Sequence, residues 1–275
     1  MRYRLALERL HSAKSDTGLK RPHNEDRFVA DPPLGLYVVC DGMGGGNAGE
    51  IASAMAVETI HRHLADAAQR ADLPLIGSCD VTVSPTANRL ASAIRAANHA
   101  IHRESGSRPD YVGMGTTVVA ALLHDEVLAI AHVGDSRLYL IRNGTIQSLT
   151  TDHSWVREQM LKGIITEEEA QRSPRRNIVT RALGVENSVD VELTEVPIKS
   201  GDLLLLCSDG LTRGVHTNEI LQILGGSDNL SAMSDRLIAL ANEAGGDDNT
   251  TVVIVALRDD LQVGLWERLK KLFAA

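Results

Sequence analysis

Four apolar, strand-like runs of this chain end or begin at an aspartate: Val38-Val39-Cys40-Asp41-Gly42, Ile130-Ala131-His132-Val133-Gly134-Asp135, Leu204-Leu205-Leu206-Cys207-Ser208-Asp209-Gly210 and Asp247-Asp248-Asn249-Thr250-Thr251-Val252-Val253-Ile254. Taken singly, each aspartate is open to a bland reading, since Asp and Gly dominate turns for local reasons. Four that converge are different. Two unit charges about 4 Å apart repel by roughly 4 kcal/mol at an effective dielectric near 20, so converging carboxylates are tolerable only with cations between them.

The chemistry on offer is that of hard oxygen. Asp41, Asp135, Asp209 and Asp248 supply carboxylates, Gly42 a backbone carbonyl beside a glycine-rich loop, and no soft ligand accompanies them. Mg²⁺ or Mn²⁺ suits such a set. A carboxylate-bridged pair of these ions, about 3.5 to 4 Å apart, can hold a hydroxide and aim it in line at phosphorus. The run Arg21-Pro22-His23-Asn24-Glu25-Asp26-Arg27 offers the remaining parts. Arg21 can grip a phosphate through its planar fork, and Glu25 and Asp26 can hold the waters around a metal. A solvated charged turn is the competing reading of that run.

These residues need strands and turns to carry them. Residues 3 to 9 alternate as a strand does, and Leu36 to Cys40 reads as a short buried one. Residues 50 to 64, Ala-rich with Ile51, Ala54, Met55, Ile60 and Leu64 apolar, predict a helix, 65 to 87 a loop, and 88 to 103 a second helix with Leu90, Ile94 and Ile101 on one face. Strands are predicted at 117–123, 127–133 and 138–141, an antiparallel meander whose last strand turns at Asn143-Gly144. A helix over 154–172, with Thr166 and Glu169 spaced as a capping box, precedes an exposed basic loop at 173–177. Strands at 191–196 and 202–208, a helix marked by Leu230, Met233, Leu237 and Leu240 and stopped by Gly245-Gly246, and a β-branched strand at 250–257 complete the order. Elements in this order do not alternate as βαβ units, which favours an α+β fold with antiparallel sheets. Because the candidate ligands run from Asp41 to Asp248, the chain must build one site, as one domain.

Gly44 to Gly49 matches G-x-G-x-x-G after a strand and before a helix, but a Pro-containing loop and a second helix follow where a dinucleotide fold needs a parallel strand. The histidines never show H-E-x-x-H spacing, which argues against zinc. Net charge is −8, which argues against a nucleic-acid partner, because such proteins neutralise phosphates with Lys and Arg. An anionic substrate must then be drawn in by cations or by a few placed arginines. Cys40, Cys79 and Cys207 form no CxxC pair, which predicts no disulfide framework and a cytoplasmic setting. The N-terminus lacks the apolar core of a signal peptide, and no stretch approaches bilayer length.

Arg21-x-x-Asn24-Glu25-Asp26, Asp41-Gly42-Met43-Gly44-Gly45, Gly115-Thr116-Thr117, Val133-Gly134-Asp135-Ser136-Arg137, Ser208-Asp209-Gly210 and Asp248-Asn249-x-Thr251 together resemble the bacterial branch of the metal-dependent, type 2C (PPM) protein serine/threonine phosphatases. Each motif is weak alone. Six in register across residues 17 to 256 are specific. The resemblance implies an αββα sandwich of two antiparallel sheets with two Mn²⁺ or Mg²⁺ ions at one end. It implies that Asp41 bridges the two ions, that Gly42 ligates one through its carbonyl and that Asp209 and Asp248 complete the other. Glu25 would act through water, Arg21 would bind the substrate phosphate, Asp26 would orient waters, and Asp135 would help to hold a weaker third ion. It also implies hydrolysis of phosphoserine and phosphothreonine in proteins, opposite a Ser/Thr kinase. Residues 145 to 185 resemble the family's flap, which borders the active site.

Two departures stand out. Met43 follows Asp41-Gly42 where many eukaryotic members carry a histidine, and a thioether cannot donate a proton to the leaving group; a metal-held water is the expected acid. Ser173 stands where the flap often has a histidine before proline. The reading is of one catalytic domain, 1–258, acting as a monomer, followed by a tail at 259–275 with Leu261, Leu265, Leu269, Leu272 and Phe273 on one helical face. For that tail, packing back on the domain, docking to a partner and attachment to a membrane surface compete, in that order. A phosphoprotein-binding relative without catalysis is the rival function, and the intact carboxylates argue against it.

Overall fold

The computed structural model describes residues 7–45, 48–70 and 72–259. The elements are β1 (Leu7–Asp16), β2 (Asp26–Asp31), β3 (Leu36–Met43), α1 (Ala48–Gln69), α2 (Pro85–Ser105), β4 (Gly115–Thr116), β5 (Val118–His124), β6 (Val127–Val133), β7 (Arg137–Arg142), β8 (Thr145–Ser148), α3 (Trp155–Leu161), α4 (Glu167–Arg172), β9 (Glu192–Pro197), β10 (Leu203–Cys207), α5 (Asp209–Thr212), α6 (Thr217–Gly225), α7 (Leu230–Glu243) and β11 (Thr250–Asp259). The tail expected at 259–275 lies, from residue 260 on, outside the described residues, as do residues 3–6 of the strand expected at 3–9.

Two antiparallel sheets face each other, one in the order β1-β11-β10-β7-β8 and the other β2-β3-β5-β6-β9, with β4 extending the pairing of β3. The apolar runs are unbroken because these strands are covered on both sides. Successive side chains on a strand point to opposite faces, and here both faces find a core. Tyr37, Val39, Leu204, Leu206, Val253 and Val255 meet in the layer between the sheets. Leu36, Val38 and Cys40 turn outward to Ala52, Ala56, Ile60 and Ile94 of α1 and α2. Leu205, Cys207 and Ile254 turn the other way, to Ile220, Met233 and Leu237 of α6 and α7. The result is the αββα sandwich, built with few rings and many alanines.

Several sequence expectations change. The middle block is not one meander: β5 and β6 belong to one sheet, β7 and β8 to the other, and the chain crosses between them at Gly134-Asp135-Ser136. Gly134 makes the crossing at φ 106°, where an added Cβ would sit 2.7 Å from Thr117 Cβ. The helix expected over 154–172 is two, because the capping box of Thr166 and Glu169 starts a new helix, and Gly163 at φ 69° ends the turn before it. The loop expected at 65–87 is shorter, since α1 runs on to Gln69 and Ser84 caps α2 with Pro85 in its first turn. Asn143 and Gly144, both at positive φ, make the expected hairpin.

Candidate metal centre

At one end of the sandwich the two sheets present their acidic residues to each other. Asp26 and Asp41 are register partners across β2 and β3, so their side chains share a face. Asp41 is held through its backbone: its N–H donates to Thr117 Oγ1 at 3.1 Å, and its carbonyl accepts from the Thr117 N–H at 2.8 Å and the Thr116 hydroxyl at 2.9 Å. Gly42 donates its N–H to the Glu25 carbonyl, and a Cβ there would lie 2.1 Å from the Gly49 carbonyl oxygen. Glycine at 42 and 49 thus lets the first turn of α1 close on the Glu25 side chain.

The opposite sheet contributes through the ends of β10 and β11. Asp26 joins the two: its Oδ2 accepts from the Ser208 and Thr251 hydroxyls, each at 2.7 Å. Asp209 begins α5 one residue beyond β10, after Ser208, and Asp248 precedes β11. Asn249 fastens the Arg21 segment, its Oδ1 accepting from the Glu25 N–H at 2.8 Å and its Nδ2 donating to the Thr17 and His23 carbonyls at 2.9 Å. The Arg21 guanidinium reaches Asp248 Oδ2 at 2.8 Å. Asp135 enters from the sheet crossing, which a hydrogen bond between the Ser136 and Thr117 hydroxyls at 2.7 Å holds in place.

Burial and mutual repulsion set the electrostatics. Burial, then the charges of Asp26, Asp209, Asp135 and Asp248, push the Asp41 carboxyl well above the ordinary carboxylate range. Burial raises Asp26 to about 7 against the help of Thr251 and Ser208, and raises Asp135 to about 7 with Asp209 adding to it. Asp209 is also raised by burial, while Arg213 opposes the shift. Glu25 Oε1, Asp26 Oδ1 and Asp209 Oδ1 are buried with no hydrogen-bond partner. Acceptor oxygens that find no donor, among carboxylates that repel one another, fit hard divalent cations.

The structure thus brings Asp26, Asp41, Asp135, Asp209 and Asp248 within electrostatic reach of one another, with Glu25 and Arg21 at the rim. Asp247 is apart, paired with Lys20 at the surface. Two contributors escaped the sequence reading. Asn249 enters the sequence reading only as a motif letter, and Arg213 belongs to no motif although it stands four residues after Asp209, the spacing that stacks side chains on a helix.

A second group, His132, His153 and Glu192, places potential ligand atoms within 4.8 Å of one another. Its rings are stacked, 12° from parallel, which points their lone pairs along parallel planes rather than at one ion. Three of the four ring nitrogens are shown engaged: His132 Nε2 with the Thr151 carbonyl, His153 Nδ1 with the Gly134 N–H, and His153 Nε2 with Glu192 and with Arg181 at 3.3 Å. This group fastens residues 151–153 to the sheet crossing. The bidentate pair of Arg137 with Asp152, at 2.7 and 2.8 Å, does the same from β7. A groove of about 640 Å³ runs from Asp135 and Asp209 along α3 and α4, with Arg157, Arg176 and Arg213 in its walls.

A family model described as protein phosphatase 2C matches residues 22–252. The serine/threonine phosphatase stp of Listeria monocytogenes is 42% identical over 254 residues, covering 91% of this chain and 96% of that protein. The crystal structure of the Mycobacterium tuberculosis serine/threonine phosphatase PstP superposes with a TM-score of 0.78 at 38% identity, covering 91% of this chain and 99% of that one. A PstP catalytic domain in complex with two manganese ions gives a TM-score of 0.79 at 36% identity, over 92% and 100% of the chains.

Proposed function

The chain belongs to the protein phosphatase 2C family, in its bacterial branch, and from that premise we propose how its own residues remove phosphate from phosphoserine and phosphothreonine in proteins. It is a metal-dependent protein serine/threonine phosphatase. The observation that carries the reading is the set of facing carboxylates with three buried, unpartnered oxygens.

In this reading Asp41, Asp209 and Asp248, with the Gly42 carbonyl, would hold two divalent cations, Asp41 being the carboxylate common to both. A relative with two manganese ions supports that count. Bound there, the cations offset the charge of the carboxylates and of the phosphoryl group and make water nucleophilic at neutral pH. The residues around them do the positioning. Asp26, its Oδ2 tied to Ser208 and Thr251, has only Oδ1 to turn toward the cluster, and Glu25 offers a buried, unpartnered Oε1; each would orient a water. Arg21, half exposed at the rim, grips the incoming phosphate through its fork. Met43 has no proton to give, so the leaving alkoxide takes its proton from water.

Asp135 holds a third, weaker ion in this reading. Asp135→Ala is expected to raise the Mn²⁺ concentration needed for half-maximal rate while leaving the tight pair bound; an unchanged metal titration overturns the third site. The reading also makes residues 1–258 one catalytic domain with a flap at 145–185, working as a cytoplasmic monomer opposite a Ser/Thr kinase. Three free cysteines support a reducing compartment, and among the described residues no helix is long and apolar enough to cross a membrane. The decisive assay is release of phosphate from p-nitrophenyl phosphate and from a phosphothreonine peptide, with Mn²⁺ and then with EDTA. Turnover with the metal and none with the chelator is expected; equal rates sink the reading.

A further inference from the structure

Arg213 has no part in the six motifs, yet it reaches two of the aspartates of the metal centre. It lies one helical turn after Asp209, and its guanidinium forms ion pairs with both Asp209 Oδ2 and Asp248 Oδ2. We propose that Arg213 is a resident counter-cation that competes with the divalent ion bound by Asp209 and Asp248, and so sets how tightly that ion is held. The inference rests on the metal reading of those two aspartates.

The lone pairs show why the two cations conflict. A carboxylate offers about four acceptor directions, two on each oxygen. At Asp248, Oδ2 accepts from Arg21 and from Arg213, and Oδ1 accepts from the Asn249 N–H at 2.9 Å. One direction is left. At Asp209, Oδ2 is on Arg213 and Oδ1 is buried without a partner. An ion entering between the two aspartates therefore meets Asp209 Oδ1, the second direction of Asp209 Oδ2 and a single direction of Asp248 Oδ1. To gain more it must move a guanidinium, and whatever it gains, it sits beside a positive charge. Arg21 cannot be the main opponent, since it touches only Asp248 and its side chain is 46% exposed, where water screens it. The Arg213 side chain is 29% exposed and pairs with both ligands. It also has somewhere to go, because it forms part of the groove wall with Thr212, Gly214 and His216.

The competition predicts effects of opposite sign on the two forms of the protein. Without divalent ions, Arg213 relieves repulsion among the aspartates and stabilises the fold. With them, it opposes binding. Titration calorimetry of Mn²⁺ into the full chain and its Arg213→Gln variant, with melting curves in EDTA and in saturating Mn²⁺, reads both. Arg213→Gln is expected to bind Mn²⁺ more tightly by about tenfold or more, the loss of one nearby positive charge. It is also expected to melt below the wild type in EDTA and level with it in Mn²⁺. Arg213→Lys keeps the charge but not the fork, and is expected to fall between the two. Weaker or unchanged Mn²⁺ binding by Arg213→Gln overturns the proposal and makes the arginine a support of its ligands or a bystander. Asp209→Asn, titrated alongside, separates the failures: if it binds Mn²⁺ as the wild type does, the metal reading itself is wrong.

Discussion

Asp41→Asn is expected to lower turnover of a phosphothreonine peptide by on the order of a thousandfold, about 4 kcal/mol of transition-state stabilisation. No other single substitution removes as much, because Asp41 is the carboxylate assigned to both cations. An amide can still coordinate through its oxygen, but it brings no charge, and in this site charge is what holds two divalent ions together. The fold is expected to survive. Asp41 is anchored by its backbone to Thr116 and Thr117, and those three hydrogen bonds do not involve the carboxylate. In EDTA the variant is expected to melt higher than the wild type, because burial and four neighbouring aspartates all disfavour the anion at this position. Loss of activity with an unchanged or raised melting temperature separates a role in the site from damage to the fold. A near-normal rate means that the bridging assignment is wrong, and a large fall in melting temperature in EDTA means that the charge at 41 is structural.

The aspartates were legible because each stands where an apolar run meets a glycine or a hydroxyl residue, which is a local pattern. What was not legible is set by pairing between distant strands. Nothing in Val133-Gly134-Asp135-Ser136-Arg137 tells that the chain leaves one sheet and enters the other there, so the meander was the natural reading of three consecutive strands. The crossing is what delivers Asp135 to the site. Strand β2 escaped notice because Asp26 and Asp31 close a run whose Phe28 is 36% exposed, an edge strand without the apolar signature of its neighbour β3. Helix α6 was missed for a related reason: its start is capped by His216, outside the usual capping residues, and only Ile220 and Leu224 are buried. The arrangement of sheets came from the family resemblance rather than from periodicity. Arg213 shows the same limit inside the site. Its spacing from Asp209 is in the sequence, but its contact with Asp248 exists only because β10 and β11 are neighbours.

Removing the metal should make the protein less stable as pH rises, the reverse of what paired carboxylates usually do. Asp26 and Asp135, raised to about 7, and Asp41, raised well above its ordinary range by burial and then by its neighbours, hold protons in the fold that an unfolded chain releases near pH 4. Between those limits the folded state binds more protons, so unfolding free energy falls by about 1.4 kcal/mol per pH unit for each proton held. His63 and His153, lowered chiefly by burial, act in the opposite sense below their ordinary pKa and offset part of the carboxylate effect there. In EDTA the melting temperature is expected to drop by on the order of 10 °C from pH 5 to pH 8. Saturating Mn²⁺ is expected to remove the drop, because cations favour the same anions that repulsion disfavours, and ions that bind only the fold stabilise it by mass action. Asp41→Asn in EDTA should show a shallower fall than the wild type, since one of the proton-holding groups is gone. A melting temperature that stays level or climbs over this range in EDTA contradicts the electrostatics of the cluster, and with it the reason for a metal there.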